Sequence, residues 1–369
     1  MKGKARIALV ALFVLALAGG LWKSMSEKST DTAAAVPGQP DATVTQVRLL
    51  TGSAKFNFMK DPKLTEILSK EGLEVVLSKT GATSTDIGRA QEFDAVWPAG
   101  ANAASDFSVA WKSTNTYPVF STPLALASWK QLLPVLEANG LAKKVGATHG
   151  EFYLEKALPM MLEGKRWNQL KANTVFDINK GFLVNTPDIR KSSTGGLYIA
   201  ALAYIQNGHD VPASAAVGQE LAEKLSPLIT RQGFQEGTLA GPFEDYVGQG
   251  MGKAPLVLVY ESQFVAAKRE GRLRDAHVLL YPRPGMLLKH VLVARTDAGK
   301  RLGEILANNL EVHKIAALYG FRTNSPAVFA ESMKQLGLDS PELIDVADAP
   351  STLVLDAMTR TLVKKLEGN

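Results

Sequence analysis

The chain has no cysteine. That removes both a disulfide frame and a lipid-modified N-terminal cysteine, and leaves stability to a large apolar core. Signatures of catalysis and metal binding are missing too. The five histidines, His149, His209, His277, His290 and His313, are scattered, with no pair at metal-ligand spacing and no His-Glu-x-x-His. There is no Gly-x-Ser-x-Gly elbow, and Gly248-Gln249-Gly250-Met251-Gly252-Lys253 fits neither the Walker spacing nor the dinucleotide fingerprint. A helix-ending turn accounts better for that glycine run. No nucleophile with a partnered base is visible, so the expectation is a non-enzyme without cofactor or metal. An excess of one charge is also lacking. Lysine and arginine number 41 against 36 acids, and three of the positives, Lys2, Lys4 and Arg6, precede the first apolar run. The remainder, 38 − 36, is +2, too little for the clustered basic face that a nucleic-acid partner requires.

Long hydrophobic runs are scarce as well. The longest, Ile7 to Ala18, ends in Ala16-Leu17-Ala18 before Gly19-Gly20, and with its basic flank it has the pattern of a secretory signal. Even extended to Trp22 it is shorter than the ~20 residues of an ordinary spanning helix. Cleavage after Ala18 is the preferred reading, and the alternative is an uncleaved anchor with Trp22 and Lys23 at the outer interface. Residues 1–22 are thus a signal peptide or signal anchor, and 23–44 a flexible tether. Both readings place the rest outside the cytoplasm, periplasmic or extracytoplasmic, and confine membrane contact to residues 7–22.

A length of 369 residues exceeds one ordinary core and predicts two lobes. Strands are expected at Val47 to Thr51, Leu73 to Lys79, Phe93 to Trp97, Val175 to Val184, Pro255 to Tyr260 and His277 to Tyr281. Pro118 to Ala127 reads as two short extended pieces broken by Ser121-Thr122-Pro123. Asp61-Pro62 starts a helix, since aspartate caps the free N–H groups and proline is tolerated at the first position. Further helices are expected through Asn102 to Lys112, Trp129 to Ala138, Glu151 to Leu162, Gly195 to Ile205 and most of the chain from Thr296. Alternating strands and helices imply a largely parallel sheet covered by helices, with ligands collecting at the carboxyl ends of its strands.

Three strand-like runs break into small polar turns that open helices: Gly52-Ser53-Ala54-Lys55, Gly81-Ala82-Thr83-Ser84 and Lys191-Ser192-Ser193-Thr194-Gly195-Gly196. Backbone N–H groups at a helix start have no intrahelical partner, so with hydroxyls beside them they favour an oxyanion or another polar group. Ser53, Thr83, Ser84, Ser193 and Thr194 are therefore candidate ligand contacts, with helix capping as the competing role. Lys55 is either a charge for the ligand or a solvated lysine. Trp97 could stack on a ligand at a strand end, although a tryptophan in an apolar strand is more often core.

With Phe93-Asp94-Ala95-Val96-Trp97-Pro98-Ala99, Ser193-Thr194-Gly195-Gly196-Leu197, Val259-Tyr260-Glu261-Ser262-Gln263 and Leu279-Leu280-Tyr281-Pro282 in this order, the chain resembles the type II extracellular solute-binding proteins, the group of the molybdate and sulfate binders. The likeness spans roughly Gln46 to Asn324. It implies a two-lobed α/β fold, with mixed sheets flanked by helices and a ligand held in the cleft as the lobes close. On it, lobe one is 45–128 plus 282–369 and lobe two is 129–281, and Tyr260 sits at the hinge with its hydroxyl in reach of the cleft. The expected role is capture of a small, anionic or polar ligand, with an ABC-type membrane permease as partner for uptake. The alternative is a membrane-tethered sensor or scaffold handing its signal to a separate inner-membrane partner protein.

Overall fold

The structure is a computed structural model and describes residues 44–79, 87–233, 235, 237 and 240–368. The apolar N-terminal run, most of the tether, the Thr83-Ser84 turn and the side chain of Ser193 lie outside the described residues. Among the described residues no helix is long and apolar enough to cross a membrane.

Strand β1 (Thr45–Thr51) runs parallel to both β2 (Leu73–Lys79) and β3 (Ala95–Trp97). It is the centre of this parallel group, so Val47, Leu49 and Leu50 are fully buried, as expected for strands covered on both faces. Asp61 caps the Pro62–Lys70 helix as its sequence predicts, accepting from the amides of Lys63 at 2.9 Å and Leu64 at 3.4 Å.

Strand β4 is one 14-residue element, Thr116–Trp129, where two broken pieces were expected. Its first half pairs antiparallel with β9 (Gly285–Ala294), and from Leu124 it pairs with β7 (Val257–Tyr260) and β8 (His277–Arg283). The strand crosses from one ladder to the other at Pro123 and Leu124, where a proline's missing donor does least harm. Polar neighbours there are used: Ser121 exchanges backbone hydrogen bonds with Arg322, and the Thr122 hydroxyl accepts from the Ser262 amide. Strands β5 (Ala142–Lys144) and β6 (His149–Tyr153) extend the second ladder, and β10 (Val346–Ala347) adds to β9. The full order is β2-β1-β3-β9-β4-β8-β6-β5.

The apolar core divides as the ladders do. One cluster gathers Val47, Phe58, Trp97, Phe120, Leu292 and Phe321, and another runs from Leu124 through Phe152, Leu202 and Tyr246 to Leu280. The Thr352–Leu366 helix, expected with the first lobe, packs on the Ala215–Leu225 and Ser193–Gln206 helices and places Val354, Met358 and Leu362 in the second cluster. Gly218 permits this: a Cβ there would lie 2.8 Å from Val354 and 3.0 Å from Met358.

Three local expectations need correction. The helix expected from Glu151 starts at Leu154, since Glu151 to Tyr153 belong to β6. Residues 175–184 form no strand but an irregular segment with isolated bridges at Arg166–Gly181 and Asn185–Val257. Trp129 ends β4, so the following helix is shorter, a 3₁₀ turn at Lys130–Leu132 leading into Leu133–Ala138 with Pro134 in its first turn.

Candidate functional site

A cavity of about 520 Å³ lies where the two ladders meet. Ala99 to Ala103 and Leu287 to Lys289 line one side; Gly196, Leu197 and Tyr260, with Leu355, Asp356 and Thr359 of the last helix, line the other. Leu124 and Met286, from the crossing strands, also line it, as do Asp348 and Ala349, at the approach to the last helix, and Thr352, at its start.

The first side is built by the end of β3. After Trp97 and Pro98 the chain turns at Gly100, whose φ of 95° is closed to most side chains, and the Ala101–Trp111 helix begins. No side chain caps this helix, and its first residues, Ala101 to Ala103, line the cavity. Asn102 donates to the carbonyls of Ala349 at 3.2 Å and Pro350 at 2.7 Å, tying this turn to the approach of the last helix.

The opposite side is the Ser192–Gly196 turn. Ser192 is the cap: its hydroxyl oxygen accepts from the Thr194 amide at 3.4 Å. The Ser192 hydroxyl donates to Thr194 Oγ1 at 3.2 Å, and Thr194 donates to the Tyr260 hydroxyl at 3.3 Å. Burial pushes the Tyr260 phenol up to about 12, so it stays neutral. The two glycines serve close packing. A Cβ on Gly195 would lie 2.6 Å from Ile189, and one on Gly196 would lie 3.2 Å from the Thr359 hydroxyl.

The structure brings Thr194 and Tyr260 together beside the cavity, while Ser53, Lys55 and Trp97 lie outside it. Ser53 is exposed and does not line it. Lys55 is neither solvated nor in the cavity; it is fully buried, with Nζ 3.4 Å from the Pro98 carbonyl, 3.1 Å from His290 Nδ1 and 5.4 Å from the Trp97 ring centroid. Desolvation lowers its pKa to about 7. Trp97 is also fully buried, edge-on to Phe58 and against Phe120, so it offers a ligand no face.

Sequence reasoning missed the Gly100–Ala103 turn, because glycine at the cap leaves none of the serine, threonine or aspartate signals of a helix start. It also missed a charged cluster behind the cavity. Glu261, buried at the start of the Glu261–Arg269 helix, is held bidentately by Arg322, with both contacts at 2.6 Å, and accepts a short hydrogen bond from Tyr281. Arg322 donates as well to the Pro341 carbonyl at 2.9 Å and stacks over Phe329. Nothing near Glu261 in sequence announces a partner 61 residues away.

No family model matches the chain, and no curated protein matches it in sequence. Solved structures do match in fold. A Trichodesmium protein (IdiA, FutA) in complex with iron and citrate superposes with a TM-score of 0.53 at 13% identity, covering 88% of this chain and 99% of that one. The fold is that of the two-lobed periplasmic binding proteins. An ABC transporter structure from Clostridium perfringens gives 0.54 at 12% identity, covering 86% and 98%. The apo ferric ion-binding protein A of Pasteurella haemolytica gives 0.54 at 11%, covering 87% and 98%. At such identities the likeness concerns the fold, and the ligands named belong to those proteins. Among the described residues no group of three histidine, aspartate or glutamate side chains could hold a metal ion.

Proposed function

We propose that the chain is an exported solute-binding protein that captures a small polar ligand in the 520 Å³ cavity and presents it to an ABC-type permease for uptake. The observation that carries this reading is the cavity itself, walled by both ladders and by the crossing strands at Leu124 and Met286, where a change of lobe angle would open and close it. The likeness to binding proteins over most of the chain supports the same role. The first lobe on this reading is 44–123 with 287–338, and the second is 124–286 with 352–366. Uncapped amides at 101–103, the Ser193-Thr194 turn and the Tyr260 hydroxyl would hold the ligand's polar group, while Ser53, Lys55 and Trp97 would shape the first lobe without touching it.

A thermal-shift screen of small metabolites and anions tests the proposal, since a ligand at about one hundred times its dissociation constant adds about 2.7 kcal/mol. With the hit in hand, the double change Ser193→Ala and Thr194→Ala is expected to weaken binding roughly tenfold, each neutral hydrogen bond contributing about 0.5–1.5 kcal/mol. Calorimetry that finds unchanged affinity removes this turn from the site.

A further inference from the structure

The composition of the cavity wall narrows what the ligand can be. A volume of about 520 Å³ lies within the ~300–1,000 Å³ of sites that enclose organic molecules, and well above what a single inorganic oxyanion fills. Much of the wall is aliphatic: Leu124, Leu197, Met286, Leu287, Leu288 and Leu355 converge on it from both lobes. The charged side chains on it are one lysine and two aspartates. Lys289 Nζ stands 4.0 Å from Asp348, and Asp356 adds a second carboxylate; no arginine is among the lining residues. A dianion such as sulfate or molybdate would lose its hydration against leucine side chains and meet a net negative rim, both of which oppose binding. Among the described residues no group of three histidine, aspartate or glutamate side chains could hold a metal ion, and Tyr260 is the single tyrosine among the residues that line the cavity.

Resting on the solute-binding reading, we infer that the cavity takes an organic solute with an apolar body and one small polar head, rather than an inorganic oxyanion or a metal ion. The body lies along the leucine wall formed by the crossing strands and the last helix. The head meets the uncapped amides at 101–103 and the Tyr260 hydroxyl, which belong to residues that line the cavity together with Thr352, Thr359 and the three charged side chains. Apolar burial then supplies most of the affinity, at roughly 25 cal/mol per Å², and the polar groups fix orientation.

The test uses the full chain and 6-propionyl-2-dimethylaminonaphthalene, an aromatic body with a small neutral carbonyl head, followed by fluorescence. One saturable site is expected. Two variants with half-buried positions on the wall should each weaken it at least tenfold: Ala103→Trp fills the cavity, and Leu355→Glu charges it. Leu353→Glu, on the exposed face of the same helix and away from the wall, should bind as the parent does, and circular dichroism should show all three folded. If the saturable component persists unchanged in Ala103→Trp and Leu355→Glu, the inference is wrong. Should sulfate, phosphate or molybdate at millimolar concentration raise the melting temperature while the probe finds no saturable site, the organic assignment falls and the solute-binding reading stands. If the probe, these anions and ferric citrate all leave the protein unaffected, both readings fall together.

Discussion

Two ionic groups are buried near the crossing strands, and they are opposite solutions to one problem. Glu261 is 1% exposed and fully answered: Arg322 grips both oxygens and Tyr281 donates to one. Lys55 is 0% exposed and, among the described residues, has no carboxylate beside it, only a carbonyl and the ring nitrogen of His290. Burial and the adjacent lysine hold His290 neutral, its pKa well below the ordinary value, and its Nε2 has no partner. The carboxylate is paired; the amine, left to desolvation, has its pKa brought down to about 7. Paired charge ties segments together across the junction, here the β7 end, β8 and the chain around Arg322 and Pro341. Unpaired charge fills space at an energetic cost that depends on pH.

The comparison breaks most sharply at Arg322. Arg322→Ala leaves Glu261 buried without its counter-ion, and urea denaturation at neutral pH should show a loss of about 3–5 kcal/mol. A loss within 1 kcal/mol would mean that water reaches Glu261 and that its pairing is dispensable.

At Lys55 the effect should be smaller and opposite in sign. Lys55→Met removes an amine that costs stability when charged, so the variant should gain about 1–4 kcal/mol at pH 7. Between pH 7 and the ordinary lysine range the unfolded chain binds a proton that the folded chain does not. Parent stability therefore rises with pH there, by up to about 1.4 kcal/mol per unit, and the variant should lose that slope. Equal slopes in denaturation series at pH 7, 8 and 9 would contradict the assignment.

A neutral pair gives the smallest effect. Tyr260→Phe removes the acceptor for Thr194 at the cavity edge and should cost about 0.5–1.5 kcal/mol in thermal denaturation. A loss as large as that of Arg322→Ala would show that the hydroxyl relay from Ser192 carries more than a local bond.

Much of the first lobe was legible because its signals are local. The apolar runs Val47 to Thr51 and Leu73 to Lys79 are strands, and Asp61-Pro62 starts a helix where capping chemistry says it must. Strand β9 was not anticipated, although its burial alternates through Met286, Leu288, His290 and Leu292 as a period-two pattern would indicate. At the site the record is mixed. Thr194 and Tyr260 do meet, but Lys55 and Trp97, polar and aromatic at a strand end, turned inward. Local sequence says that a side chain sits at a strand end without saying which side of the next turn it falls on.

The sequence by itself determined the kinds of element, their alternation and the absence of disulfides, since caps, turns and hydrophobic periodicity act over a few residues. Only the tertiary structure decided that β4 serves two ladders, that the Thr352–Leu366 helix packs into the second core, and that Glu261 meets Arg322. These depend on which distant surfaces fit and which buried charge finds its opposite, and no short stretch of chain holds that information.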